Sequence, residues 1–403
     1  MTRICFLSSL HPLRDKRVFA KEAVSLAAAG FEVSHLAPGP GASELDQGVL
    51  LLPFAPAQGR MARLRNLPRL LRAAWGADAD CYHCNELDSW LVGLLIKAMR
   101  RSRVVLDVHE VYPGYLAETL APAWLHPAVR GLVRGMFALL TPFTDRVVLA
   151  KESAAVDFAA AAAKQVLVRN YVPASYAASL ASTSHSLQSA AAADEDEPLR
   201  AIHLGGMSLD RGWAQLVHAL AGLPERTVQV RILGWLADDA RSVALPAGIK
   251  LQVEPPLAFD RAFDAVCKSD VGLVLFQPGK VNHVHALPHK MFDYMAAGKP
   301  VIAPRCAVEV ARIIESVGCG LSVDTADPAA IGEALLFFRQ HRDQGRRMGE
   351  CGRQAVLKEF NWERESARLI EMYLHWRMPT PARRRPRSSP PQLRAHADPE
   401  ENP

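Results

Sequence analysis

Short apolar runs alternate with helix-patterned segments along this chain, and the alternation runs twice. RICFLS (3–8) reads as a strand, a helix follows over Lys16–Ala29 and stops at Gly30, and EVSHLAP (32–38) reads as the next strand. ADCYHC, RVVLDVHE and DRVVLA continue the series with helices between them. After residue 197 it restarts with AIHLG, VQVRILG, IKLQV, VGLVLF and PVIAP. Strands alternating with helices of this length build βαβ units and a parallel sheet. The predicted class is α/β, with two similar domains facing a cleft and ligands held at the C-terminal ends of the strands. At 403 residues the chain is too long for one core and suits two domains.

The break between the rounds is compositional. Of the 24 residues from Ala174 to Glu197, eight are Ala and six are Ser. The predicted boundaries are therefore 1–173, a linker or insert at 174–197, and 198–360. A helix over 361–377 returns to the first domain, and a basic, proline-rich tail at 379–403 is predicted to be disordered. The opening MTRICFLSSLHP lacks the apolar length of a secretory signal, and no apolar run is long enough to span a bilayer. Seven cysteines, an odd number, suit reduced thiols. Cys81 and Cys84 have no second pair to complete a zinc site. A cytoplasmic location is expected. The net charge of +5 is concentrated in local arginine clusters, which argues against a nucleic-acid-binding surface.

One cluster, GRMARLRNLPRLLRAAWG (59–76), sets arginines beside Met61, Leu64, Leu71 and Trp75. That pattern suits an anionic membrane surface, and equally a two-sided helix packed on a core, with Pro68 expected to break it into two pieces. The richest chemistry lies in LPHKMFDYMAAGKPVIAP (287–304). Pro288 suits a helix start, Gly298 a helix end, and Lys290 and Asp293 fall at helical spacing between them. A helix start suits a phosphate, Lys290 adds charge, and Asp293 can accept from sugar hydroxyls; the same spacing equally suits a surface ion pair. HLGGMSLDRGW (203–213) is a second phosphate candidate. Gly205 and Gly206 let backbone amides approach a ligand, and Arg211 can reach a diphosphate oxygen; a plain tight turn is the alternative. This is not the dinucleotide fingerprint. His109 ends a predicted strand at the ligand edge, with the alternative role of a strand-capping histidine. Asp15, Arg17, Lys21 and Glu22 sit near the first strand-to-helix loop, facing the cleft or, for Lys21 and Glu22, forming a solvated helix face. His283, His285 and His289 lack the spacing of a zinc site.

Three blocks carry a resemblance. HPLRDKRVFAKE with LAAAGFEV, then DCYHCNELDSWLVG with RVVLDVHEVYPG, then LPHKMFDYMAAGKPVI with ESVGCGLSVDTADPAAI resemble the family 4 retaining glycosyltransferases of GT-B fold, two Rossmann-like domains around a cleft. The resemblance runs from about residue 3 to 376. It implies a nucleotide-sugar donor, a glycan or lipid-linked acceptor, retention, no metal and no other cofactor. It implies donor contacts from Gly205, Gly206, Arg211, His285, Lys290 and Asp293, and acceptor-side contacts from Asp15, Arg17, His109 and Glu110. His109, Arg211 and Lys290 carry the catalytic roles in that reading. The family's Glu-x7-Glu pair becomes His285 and Asp293 here, and Met207 stands near the usual Arg. Those departures keep one rival open, an inactive binding subunit of the same fold; a second rival is a sugar-nucleotide epimerase of that fold, which needs several acid–base carboxylates in the cleft and no acceptor.

Overall fold

The computed structural model describes residues 1–55, 59–179, 197–246 and 248–376. The first half forms an eight-stranded sheet from β1 (Arg3–Leu7), β2 (Glu32–Pro38), β3 (Glu44–Asp46), β4 (Val49–Phe54), β5 (Cys81–Cys84), β6 (Arg103–Val108), β7 (Arg146–Leu149) and β8 (Gln165–Leu167). Their spatial order is β3-β4-β2-β1-β5-β6-β7-β8. Every pair is parallel except β3 with β4. The second half forms a six-stranded parallel sheet from β9 (Leu199–Leu204), β10 (Val228–Leu233), β11 (Lys250–Glu254), β12 (Val271–Leu273), β13 (Val301–Pro304) and β14 (Gly320–Val323), in the order β11-β10-β9-β12-β13-β14. Two doubly wound α/β domains are therefore present, the predicted fold class.

Alternate residues of the first sheet serve two cores. Leu7, Tyr82, Leu106 and Val147 face helices Arg60–Ala77, Leu87–Met99 and His126–Leu140 through Leu70, Trp90 and Phe137. Ile4, Phe6, Val105 and Val148 face the first helical segment and helix Trp362–Leu374, through Leu26, Leu369 and Tyr373. The last described helix thus packs in the first half's core. Residues 174–179 are helical with Ala177 buried, while most of the Ala/Ser-rich stretch and the whole tail from 379 lie outside the described residues.

Several expectations need correction. Pro68 does not break its segment, because Arg60–Ala77 is one helix with the proline inside it. The proline ring is exposed, and Leu70 and Ala74 beyond it are held in the core, so packing compensates for the missing hydrogen bond. Lys21 and Glu22 are no solvated face; both are buried. β3, β4, β8 and β14 were not assigned from the sequence. VGLVLF is strand only over Val271–Leu273.

Candidate functional site

In the second half, β9 runs out into Gly205, where φ is +91°. A Cβ on Gly206 would stand 2.7 Å from the exposed Trp235 ring, which would have to shift, while the positive φ of Gly205 favours glycine in the turn. Helix His289–Ala296 is held against this edge by Tyr294. Its ring lies over Gly272, where a Cβ would come within 2.2 Å, and its hydroxyl accepts from the Leu204 amide at 2.9 Å. Pro288, in extended conformation, immediately precedes the first helical residue.

That packing sets Lys290 beside the turn. Its Nζ is 3.8 Å from the Cβ position of Gly205 and 3.0 Å from His203 Nε2. His203 Nδ1 donates to the Leu273 carbonyl at 3.1 Å, which leaves Nε2 to accept from the lysine. Burial, and then the charge of Arg211, pull the Lys290 amine down to about 7 against the opposing pull of Asp293. Arg211 folds back on the turn, its Nη1 donating to the Gly206 carbonyl at 3.0 Å. Gly205, Gly206, Arg211 and Lys290 thus share one cationic, partly desolvated corner at the C-terminal edge of the sheet.

Asp293, one helical turn on, is buried. Its Oδ2 accepts from His289 Nδ1 at 2.9 Å, while Oδ1 and His289 Nε2 have no hydrogen-bond partner among the described residues. Burial holds the His289 imidazole toward its neutral form, with Asp293 opposing. His285 follows the short helix Val281–Val284 and makes no side-chain hydrogen bond or ion pair among the described residues. His283 donates to the Gln277 carbonyl at 3.0 Å and stacks on Phe276, so the three histidines of this segment do not converge on one point.

The first half contributes a pocket of about 250 Å³ between the domains, lined by His11, Asp15, Lys16, His109, Glu110 and Lys151 among others, and by Leu287 from the second half. His109 lies just past β6, and its Nε2 donates to Asp107 Oδ2 at 2.7 Å. Asp107 is fully buried, and its other oxygen accepts from Arg17 Nη2 at 3.0 Å. Burial would raise this carboxyl, but Arg17 and His109 outweigh it and hold it well below the usual carboxylate range. Glu22 lies behind it, and burial pushes that carboxyl well up, toward the protonated form. Glu22, His83 and Asp107 bring ligand atoms within 4.8 Å of one another. Arg17 Nη2, 2.9 Å from Glu22 and 3.0 Å from Asp107, already takes the place a cation would fill. His83 Nδ1 meets the Tyr373 hydroxyl at 2.8 Å, tying the cluster to the terminal helix.

Of the acceptor-side candidates, His109 and Glu110 face the pocket, with Glu110 paired to Lys151 at 3.3 Å. Arg17 lines it but is engaged by Asp107 and the Val168 carbonyl. Asp15 caps the first helical segment, accepting from the Arg17 and Val18 amides. Sequence reasoning missed Lys151, Glu86 and a role for His11. Glu86 accepts from His11 Nδ1 at 2.6 Å and from the amides of Ser9, Leu10 and His11. Burial opposes its charge, yet these bonds hold it down to about 2 and raise the His11 imidazole. His11 meets His109 edge-on at 5.0 Å. The His-Pro pair opening the first block was the available signal for His11. Nothing local marked Glu86, 75 residues away.

Residues 16–170 match the family model of a glycosyl transferase 4-like domain, and residues 211–371 match that of a glycosyl transferase-like domain. One match lies in each half of the chain, and both models describe glycosyltransferase domains. A curated relative, the D-inositol 3-phosphate glycosyltransferase of Xylanimonas cellulosilytica, is 27% identical over 197 residues. The match spans 47% of this chain and 45% of that protein, less than half of either. Among solved structures, sucrose-phosphate synthase from Thermosynechococcus elongatus superposes with a TM-score of 0.69 at 17% identity, covering 93% of this chain and 99% of that one. Anabaena HepE in complex with UDP-glucose superposes with a TM-score of 0.66 at 12% identity, covering 93% and 100%. At these identities the likeness defines the fold, which is GT-B.

Proposed function

We propose that this glycosyltransferase moves a sugar from a nucleotide-diphosphate sugar to a glycan or lipid-linked acceptor, with retention and without a metal, in polysaccharide or glycoconjugate synthesis at the cytoplasmic membrane surface. The observation that carries the reading is the corner where Lys290, Arg211 and the Gly205–Gly206 turn meet at the end of β9. Two basic side chains and a glycine turn fit the diphosphate of a donor, and fold relatives holding UDP or UDP-glucose support a nucleotide-sugar ligand. The unpartnered Asp293 Oδ1, one turn along, is the candidate acceptor for ribose hydroxyls, with His289 moving aside to admit them.

As the glycosidic bond breaks, negative charge grows on the leaving phosphate, and the Arg211 and Lys290 cations stabilise it there. The acceptor oxygen attacks the anomeric carbon on the face the phosphate leaves, forming the new C–O bond. The acceptor proton passes to the departing phosphate oxygen. His109, fixed by Asp107 so that Nε2 points away and Nδ1 remains for a ligand, orients the acceptor side. Closure of the domains excludes water.

A second reading has its own observation. His285 stands where the resemblance places a carboxylate and His289 covers Asp293, which suits a binding subunit without turnover. A thermal-shift screen against nucleotide-diphosphate sugars, followed by product analysis with the stabilising donor, separates the two. A melting shift with transfer supports the enzyme. A shift without transfer to any glycan or lipid acceptor favours the binding subunit, and no shift with any donor counts against the site.

A further inference from the structure

Helix His126–Leu140 is apolar on both sides. Its inner side buries Val133 and Phe137. Its exposed side carries Ala128, Gly131, Leu132, Gly135, Ala138 and Leu139; Arg134 lies at the margin of that stripe, paired with Asp157 at 2.9 Å, and Arg130 lies toward the inner side. Leu132 is 75% exposed, Leu139 67%, and Phe143 just beyond the helix 62%. A surface helix ordinarily turns charge toward water, and an apolar outer stripe marks a contact surface.

The neighbouring helix Leu87–Met99 extends the stripe with exposed Leu91, Leu95 and Met99, spaced at four residues. It is tied to the segment just past helix His126–Leu140. Lys97 Nζ donates to the Phe143 carbonyl at 2.8 Å, and Trp90 Nε1 donates to Thr144 Oγ1 at 2.9 Å. Helix Arg60–Ala77 lies on the other flank of Leu87–Met99 and exposes Arg69 and Arg72. All three helices cover one face of the first sheet. Their sequences contain a single carboxylate, Asp88, and it is buried and bonded by Ser9.

We propose that this three-helix face docks on an anionic lipid bilayer, with Leu132, Leu139 and Phe143 entering the boundary between headgroups and acyl chains. Exposed apolar side chains supply insertion. Arg134 is paired with Asp157 and Arg100 with Asp78, whereas Arg69 and Arg72 make no ion pair among the described residues and supply attraction to lipid phosphates. A second copy of the chain fits less well, because it would set these arginines against their like. The arrangement differs from a self-contained amphipathic helix at 59–76. Leu71 packs toward the core and Trp75 lies under the Arg100 guanidinium, so the apolar component comes from neighbouring helices. The docking surface stands apart from the donor corner; only its purpose rests on a lipid-linked acceptor.

The test is co-sedimentation of the full-length chain with phosphatidylcholine vesicles, with and without phosphatidylglycerol, at low and high salt. Binding is expected only with the anionic lipid and weakens as salt rises. The double variant Leu139→Glu/Phe143→Glu lowers vesicle affinity by about tenfold or more while melting temperature and donor binding stay unchanged. Equal binding to neutral vesicles, or undiminished binding by the variant, overturns the proposal. So does a concentration-dependent dimer that the double variant dissociates, which would assign the face to a second copy. Donor binding measured on the same samples keeps this outcome separate from the fate of the proposed activity.

Discussion

Replacing Lys290 with Met tests the donor corner through its dependence on pH. The lysine lies at about 7 in the ligand-free protein, far below its ordinary 10.5, because it is enclosed and faces Arg211. A diphosphate needs the charged form. Near pH 6 the ammonium is already present, and losing its charge-assisted hydrogen bond costs about 1.5–3 kcal/mol, roughly tenfold to a hundredfold in Kd. Near pH 9, two units above its titration, recharging the amine costs about 2.7 kcal/mol, so wild-type affinity loses most of that tenfold to hundredfold advantage. The two proteins should therefore differ near pH 6 and converge near pH 9. Calorimetry with an intact nucleotide sugar is the assay, since its diphosphate diester does not titrate in this range. Stability carries the opposite sign. A lysine depressed on folding binds fewer protons folded than unfolded between about pH 7 and 10.5, so it makes stability rise with pH, and Lys290→Met removes that slope. Lys21 also lies at about 7, chiefly from burial and against the pull of Asp293, so Lys21→Met measures how much of the slope comes from the lysine on the Asp293 side. A flat wild-type profile, or an equal loss by Lys290→Met at both pH values, would refute the assignment.

Asp293→Ala should weaken donor binding by about tenfold to a hundredfold, and Asp293→Glu should retain most of it; wild-type affinity in a folded Asp293→Ala protein would move the ribose site elsewhere. His109→Ala should leave donor Kd unchanged and depress single-turnover transfer, whereas a weakened donor Kd would place His109 on the wrong side of the cleft. Asp107→Asn removes one of the two buried carboxylates beside Arg17; Glu22, 2.9 Å away, remains to take up part of its charge, so the cost should be about 1.5–3 kcal/mol at neutral pH by denaturant melting. Because Asp107 is depressed on folding, its contribution is present above the ordinary carboxylate range and lost as pH falls. The gap between wild type and variant should narrow in acid, and a constant gap would show that its charge is not the cause.

Strands with continuous apolar runs, such as β1, β7 and β13, were legible because burial on both faces of a parallel sheet leaves a recognisable run. β3 and β14 were not, since ELD and GLSV are short, half-exposed and defined by their neighbours more than by their own composition. Pro68 misled because local propensity yields to tertiary packing when the turns on either side are anchored. At the donor corner, spacing alone placed Lys290 and Asp293 on one helix. Their partners His203 and His289 needed coordinates, because a buried imidazole carries no sequence mark of which side it faces. Lys21 and Glu22 read equally as cleft-facing residues or as a solvated helix surface. Only the return of helix Trp362–Leu374 over that surface, with Trp362 donating to Ser25 at 2.9 Å, encloses them.

That returning helix also sets a timetable for synthesis. One face of the first sheet, with Ile4, Phe6 and Leu26, is closed by Leu369, Met372 and Tyr373, so it stays uncovered while the whole second domain is made. Some two hundred residues separate β8 from that helix. At the usual ribosomal pace of 5–20 residues per second, the nascent first domain presents that apolar face for on the order of ten to forty seconds. A chaperone holding the nascent chain, or rapid folding of the second domain that delivers the helix, decides how much of the protein reaches its native state.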